Sequence, residues 1–227
     1  MSEITRIDIP YKNLVLTGYV GVGKSTVGRA IGQKLEIQTF DVDEEIELRE
    51  LMSIAKLREQ YGDARLRALE HDLCREAALI RQAVIVVSGA ALLDSRNYRI
   101  LSETGSIVCL ACELGEALRR LHAASEVHFR DETIRRRLLG RMRREYAIIE
   151  REDILQLETT HLTIEEEVTL LIRYWKDGEP NDERFRYGPP PRIKPPAPRI
   201  AGVSALEAQR DVRRRVGPPG GGVNEPE

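Results

Sequence analysis

The sequence predicts a three-layer α/β/α domain: a five-stranded parallel sheet with helices on both faces, followed by a Pro/Gly-rich tail. Three observations carry this. Short apolar runs alternate with stretches of helical period, the pattern of a parallel sheet covered by helices. The run "AVIVVS" (83–88) is apolar without alternation, as expected for a strand buried on both faces. Ten of the eleven prolines lie at or beyond Pro180, with only Pro10 before it, so the composition changes near Asp177. Residues 1–176 are therefore assigned to the folded domain and 177–227 to the tail.

In chain order, "NLVLT" (13–17) is the first strand, ended by Gly18. A helix follows from about Lys24, with Val27, Ala30, Ile31, Lys34 and Leu35 at helical spacing. "IQTF" is the second strand, and "DVDEEIE" leads out of it. Asp41 and Asp43 would leave an extended segment on the same side, because strand side chains alternate. They could hold a metal, hold a substrate, or cap the helix that follows. "SIVCLA" (106–111) and "ILQLE" (154–158) complete the sheet. The last helix opens at Thr163 with Glu166 in capping-box register and runs through "VTLLIRYW". Beyond it, "GPPPRIKPPAPRI" reads as extended and "VGPPGGGVNEPE" as disordered. Ser204 and Glu207 between them are compatible with a short helix over 204–215.

A chain of 227 residues with 41% hydrophobic and 32% charged residues reads as soluble and globular. A net charge of −2 gives no argument for nucleic acid or an anionic membrane. The N-terminal "MSEITRIDIP" is too polar for a signal peptide and no run of 18 apolar residues occurs, so a cytoplasmic location is expected; the chain is taken as a monomer. Three cysteines fit a reducing compartment. Cys109 and Cys112 have Cys-x-x-Cys spacing, but nothing completes a metal site, and they read as small apolar residues at a strand end. The four histidines show no ligand spacing and read as structural.

The chemistry begins at "GYVGVGKS" (18–25), which fits G-x-x-x-x-G-K-[ST] without a mismatch, between a strand and a helix. Gly18, Gly21 and Gly23 would let backbone N–H groups approach phosphates at a helix N-terminus. Lys24 would reach the β and γ phosphates, and Ser25 would bind Mg²⁺, with Thr26 beside them. The loop implies a nucleoside triphosphate without naming the reaction. The chain is short for a motor and has no Asn-Lys-x-Asp guanine motif, which favours a small kinase using ATP.

In the order of "GKSTVGRAIGQKL", "DVDEEIE", "SIAKLREQYGDARLRALE", "VVSGAALL" and "THLTIEEEV", the chain resembles the shikimate kinases from about Asn13 to Trp175. The resemblance implies a P-loop kinase of the nucleoside-monophosphate-kinase type that phosphorylates shikimate with ATP and Mg²⁺. It also assigns roles. Asp41 would contact Mg²⁺, and Asp43 would bind acceptor hydroxyls and help take the proton. Arg67 and Arg144 would pair with the acceptor carboxylate, with Arg141 and Arg143 as alternatives to Arg144 within a run of six arginines between 135 and 144. Arg120 would lie near adenine, and Gly89 would border the acceptor. Arginine suits a carboxylate because its planar fork donates two parallel hydrogen bonds.

Two departures from the family pattern stand out. Gly89, Ala90 and Ala91 stand where three glycines are usual, which is expected to narrow the pocket and strain any alanine held at positive φ. The lid stretch "HAASEVHFRDETIRRRLL" has no Arg-Pro-Leu-Leu, and Arg130 is the nearest substitute for the lid arginine. Two other readings stay open: a kinase for another small hydroxylated metabolite, and a nucleotide-binding module whose tail engages a partner.

Overall fold

The computed structural model describes residues 9–124 and 131–189. Its sheet has the order β2-β3-β1-β4-β5-β6. The strands are β1 (Asn13–Thr17), β2 (Thr39–Asp41), β3 (Val84–Val86), β4 (Gly105–Ala111), β5 (Leu155–Glu158) and β6 (Phe185–Tyr187). The first five pair in parallel, as the apolar runs require, and lie within a residue or two of their expected positions. The sixth is a finding. It runs antiparallel to β5, with Leu157 opposite Phe185 and Leu155 opposite Tyr187. Gln156, fully buried in β5, donates to Ile149 O at 2.7 Å and to Gly188 O at 2.9 Å, tying this segment to the sheet. Residues 177–189, grouped by composition with the tail, thus include a strand of the domain. The short helix expected over 204–215 lies outside the described residues.

Eight helices cover the sheet among the described residues: α1 (Lys24–Leu35), α2 (Val42–Glu50), α3 (Ile54–Ala77), α4 (Gly89–Leu92), α5 (Ser95–Thr104), α6 (Leu114–Ala124), α7 (Glu132–Tyr146) and α8 (Ile164–Asp177). Helix α3 is kinked at Gly62, whose φ of 79° lies outside helical values. A 3₁₀ turn, Ala147–Glu150, follows α7 directly. The capping box of α8 is formed: Glu166 N donates to Thr163 Oγ1 at 3.3 Å, and Thr163 N to Glu166 Oε2 at 2.8 Å. No helix among the described residues is long and apolar enough to cross a membrane.

The core is the central part of the sheet. Every residue of β1 and β3 is buried, which is why these segments carry no polar alternation. Strand β1 is held between β3 and β4, with Val15 opposite both Ile85 and Ile107. Chain order reverses around β1, and ligands of open α/β sheets bind outside the carboxyl ends of strands at such a point. Those ends carry the phosphate-loop sequence, Asp41 and Ser88.

Candidate active site

The turn from β1 to α1 is built on glycines in conformations that side chains resist. Gly18 has φ of 136°, and a Cβ there would sit 2.4 Å from Leu110 O, so both backbone and space exclude any other residue. Gly23, with φ of 98°, is the N-cap of α1, and no side chain caps that helix. The N-terminal N–H groups of α1 are thereby left for an anion, with the positive end of the helix dipole behind them. Tyr19 anchors the loop from below. Its buried hydroxyl donates to Cys112 O, and its ring packs 5.1 Å from that of Tyr146. Burial raises the Tyr19 phenol above its ordinary range. Cys109 and Cys112 are free and buried, in keeping with the apolar reading.

A cavity of about 330 Å³ opens over this loop, lined by Gly21, Gly23, Lys24, Ser25 and Thr26 on one side and by Asp41, Asp43 and Arg141 on another. Lys24 is 9% exposed, and its Nζ donates to Tyr19 O at 3.1 Å. Ser25 Oγ donates to Asp41 Oδ2 at 2.6 Å. The other oxygen of Asp41, Oδ1, accepts from Asp43 N at 3.1 Å and Glu44 N at 3.4 Å, capping α2. Burial raises the Asp41 pKa, and the Ser25 hydrogen bond opposes it only in part. A buried carboxylate with this shift is improved by a cation. Ser25 and Asp41 are hard oxygen donors beside a phosphate cradle, so they fit Mg²⁺ completed by phosphate and water oxygens. Among the described residues, no group of three or more His, Cys, Asp or Glu could hold a metal without such help.

Asp43 reaches the cavity by a route other than strand alternation. Strand β2 stops at Asp41, and Asp43 lies in the first turn of α2. Its carboxylate takes a hydrogen bond from Arg141 Nη2, while Arg141 Nε donates to Glu145 Oε1 at 2.6 Å. Burial lowers the Arg141 pKa, but Asp43 and Glu145 outweigh it and the net shift is upward. Glu70, 6% exposed on α3, has its pKa pushed up to about 7 by burial and by Asp43, against Arg58 and Arg141.

On the far side of the loop, Arg120 of α6 holds three elements together. It donates to Val22 O at 3.0 Å and Thr159 O at 2.7 Å, and pairs with Glu116 at 2.8 Å. It also lines the cavity. A Cβ on Gly23 would come within 3.8 Å of its Nη1.

With this geometry in place, the comparisons are specific. The family model for shikimate kinase matches residues 20–175, more than half of the chain. The chain belongs to the shikimate kinase family. A shikimate kinase of Caldicellulosiruptor bescii is 34% identical over 110 residues, 48% of this chain and 64% of that protein's length. One from Thermodesulfovibrio yellowstonii is 29% identical over 170 residues, 73% of this chain and 95% of its own. A shikimate kinase structure from Bacteroides thetaiotaomicron superposes with a TM-score of 0.56 at 26% identity, covering 73% of this chain and 98% of that one.

Two of the arginines expected on the acceptor side lie away from this cavity. Arg67 is exposed on α3 and Arg144 is exposed on α7, and neither lines the cavity. One turn of helix before Arg144, Arg141 does line it. A run of six arginines leaves the register of α7 open to sequence reasoning. Arg141 also pairs with Glu145 one turn later on the same helix. Arg130 lies outside the described residues. Gly89 is buried behind the cavity wall, with its N–H donated to Gly18 O at 3.1 Å, so it joins the β3 loop to the phosphate loop. Ser88 takes the lining position.

The expected strain at Ala90 and Ala91 is absent. Residues 89–92 form the helical turn α4, capped by Ser88 Oγ, which accepts from Ala91 N at 3.2 Å. Neither alanine has positive φ or lines the cavity. Ala91 packs into the core at 1% exposure. Glu44 and Glu47 of α2 also line the cavity, and in so charged a helix no sequence pattern singles them out.

Proposed function

We propose that this protein transfers the γ-phosphoryl group of ATP to a hydroxyl of a small carboxylated acceptor, and that the acceptor is shikimate. The observation that carries the reading is one cavity lined by Lys24, Ser25, Asp41 and Asp43 together, beside the uncapped N-terminus of α1. In-line transfer between bound oxygens needs positioning and charge neutralisation, and this arrangement supplies both. The loop amides and Lys24 receive the phosphates. Ser25 and Asp41 would hold Mg²⁺, which when bound neutralises charge on the phosphate oxygens. Asp43 orients the acceptor hydroxyl and accepts its proton late in the transfer. Arg141, the arginine of the acceptor side that lines the cavity, offers its remaining N–H groups to the acceptor carboxylate. Arg120 holds the loop and borders the place of the base.

Coupled ADP release with ATP, Mg²⁺ and shikimate tests this directly. Shikimate-dependent turnover is expected. Tight ATP binding with no turnover on shikimate, in a panel where another hydroxylated acid or sugar is phosphorylated, would overturn the named acceptor.

A further inference from the structure

Glu145 lies in the last turn of helix α7, is 2% exposed, and belongs to none of the roles above. Burying a carboxylate is costly unless cations and donors face it. Its Oε1 accepts from Arg141 Nε at 2.6 Å. Its Oε2 is buried, accepts no hydrogen bond among the described residues, and lies 4.0 Å from Lys24 Nζ. This one carboxylate is therefore shared between the lysine of the phosphate loop and the arginine that holds Asp43. The charges form a chain across the site: Lys24, Glu145, Arg141, Asp43.

We propose that Glu145 is a positioning residue that couples the nucleotide side of the site to the acceptor side; this rests on the kinase reading above. Without nucleotide, Glu145 is a buried counter-anion for Lys24. Phosphates entering the loop compete for that lysine and draw it off. Glu145 then has Arg141 as its remaining counter-charge, and Arg141 turns further toward it. Asp43 gives up part of its ion pair and becomes free to accept from the acceptor hydroxyl. Nucleotide binding thus prepares the acceptor side through one side chain. By linkage, the acceptor strengthens nucleotide binding by the same factor.

The test is Glu145→Gln in the full chain, with Glu145→Asp as the variant that keeps the charge. Titration calorimetry reads the affinity for a non-hydrolysable ATP analogue with Mg²⁺, with and without shikimate. Removing the competing anion at this distance is expected to tighten the analogue roughly three- to tenfold. The factor by which shikimate and analogue strengthen each other should fall toward one, and Glu145→Asp should restore most of it. A residue that merely stabilised the fold would weaken both ligands together when replaced. Unchanged or weaker analogue binding in Glu145→Gln overturns the proposal, as does tighter binding with an unaltered coupling factor. Failure of wild type to bind shikimate overturns the acceptor reading and the coupling with it. Wild-type turnover on shikimate with an unaltered coupling factor in Glu145→Gln overturns the coupling alone.

Discussion

Replacing Glu167 by Gln should change how stability depends on pH, by an amount that follows from the structure. Glu167 is 1% exposed on α8, 3.5 Å from Arg120 Nη2, and its Oε2 accepts no hydrogen bond among the described residues. Burial pushes its pKa from the ordinary 4.5 up to about 7, and Arg120 pulls it back only in part. The folded chain therefore keeps a proton through a range in which the unfolded chain has lost it. The associated stability is fully present below pH 4.5 and disappears as pH rises through about 7. At about 1.4 kcal/mol per pH unit, the whole effect is about 3 kcal/mol, most of which falls between pH 5 and 8. Glutamine fills the same space and cannot ionise. The stability of Glu167→Gln relative to wild type should rise by about 2–3 kcal/mol from pH 5 to pH 8. Urea unfolding of both proteins at the two values measures this, and the comparison cancels groups common to both. Parallel stability curves would refute the reasoning.

Three further outcomes follow. Gly89→Ala places a Cβ 2.7 Å from Glu145 O and 3.0 Å from Ile148 Cγ2, so the junction of the β3 loop with the phosphate loop must shift. A loss of about 1–3 kcal/mol in urea unfolding and a raised KM for ATP are expected, and wild-type values for both would show the junction to be compliant. Truncation after Pro189 should leave kcat and KM for both substrates unchanged, because every residue given a role in the proposed transfer precedes it. Truncation after Asp177 removes β6 with its pairs to β5 and should lower the unfolding midpoint.

How much of this was legible in the sequence depended on whether a local rule had one solution. The five parallel strands were legible because apolar runs of that length, bounded by Gly or charged residues, have few alternatives. The phosphate loop was legible because its glycines answer to backbone geometry, as Gly18 against Leu110 O shows. Strand β6 was not, since "RFRY" lies among prolines and owes its place to Gln156 and β5, partners distant in sequence. Which arginine of α7 faces the cavity was also ambiguous. Helical period alone allows several members of a six-arginine run to face inward, and only tertiary pairing with Asp43 selects Arg141. The triple-glycine position misled for a related reason. Glycine in a family pattern suggests positive φ or close approach, yet here a helical turn capped by Ser88 removes the first demand. The second is met at Gly89, where an added Cβ would meet Glu145 O.

The aspartate pair shows that the bland and the functional readings need not compete. A carboxylate has two oxygens, and Asp41 uses them on different elements. Oδ1 accepts from the first turn of α2, while Oδ2 accepts from Ser25 at the start of α1. Capping fixes the rotamer, and a fixed rotamer is what a site for a hard cation needs. Asp43 is held differently, by an ion pair whose partner is itself shared with Glu145. The first acid is pinned by backbone and hydroxyl donors. The second is restrained by a single charged side chain that it shares with Glu145. Two acids one residue apart thus differ in how far they can move, and that difference matches a metal-side role for Asp41 and an acceptor-side role for Asp43.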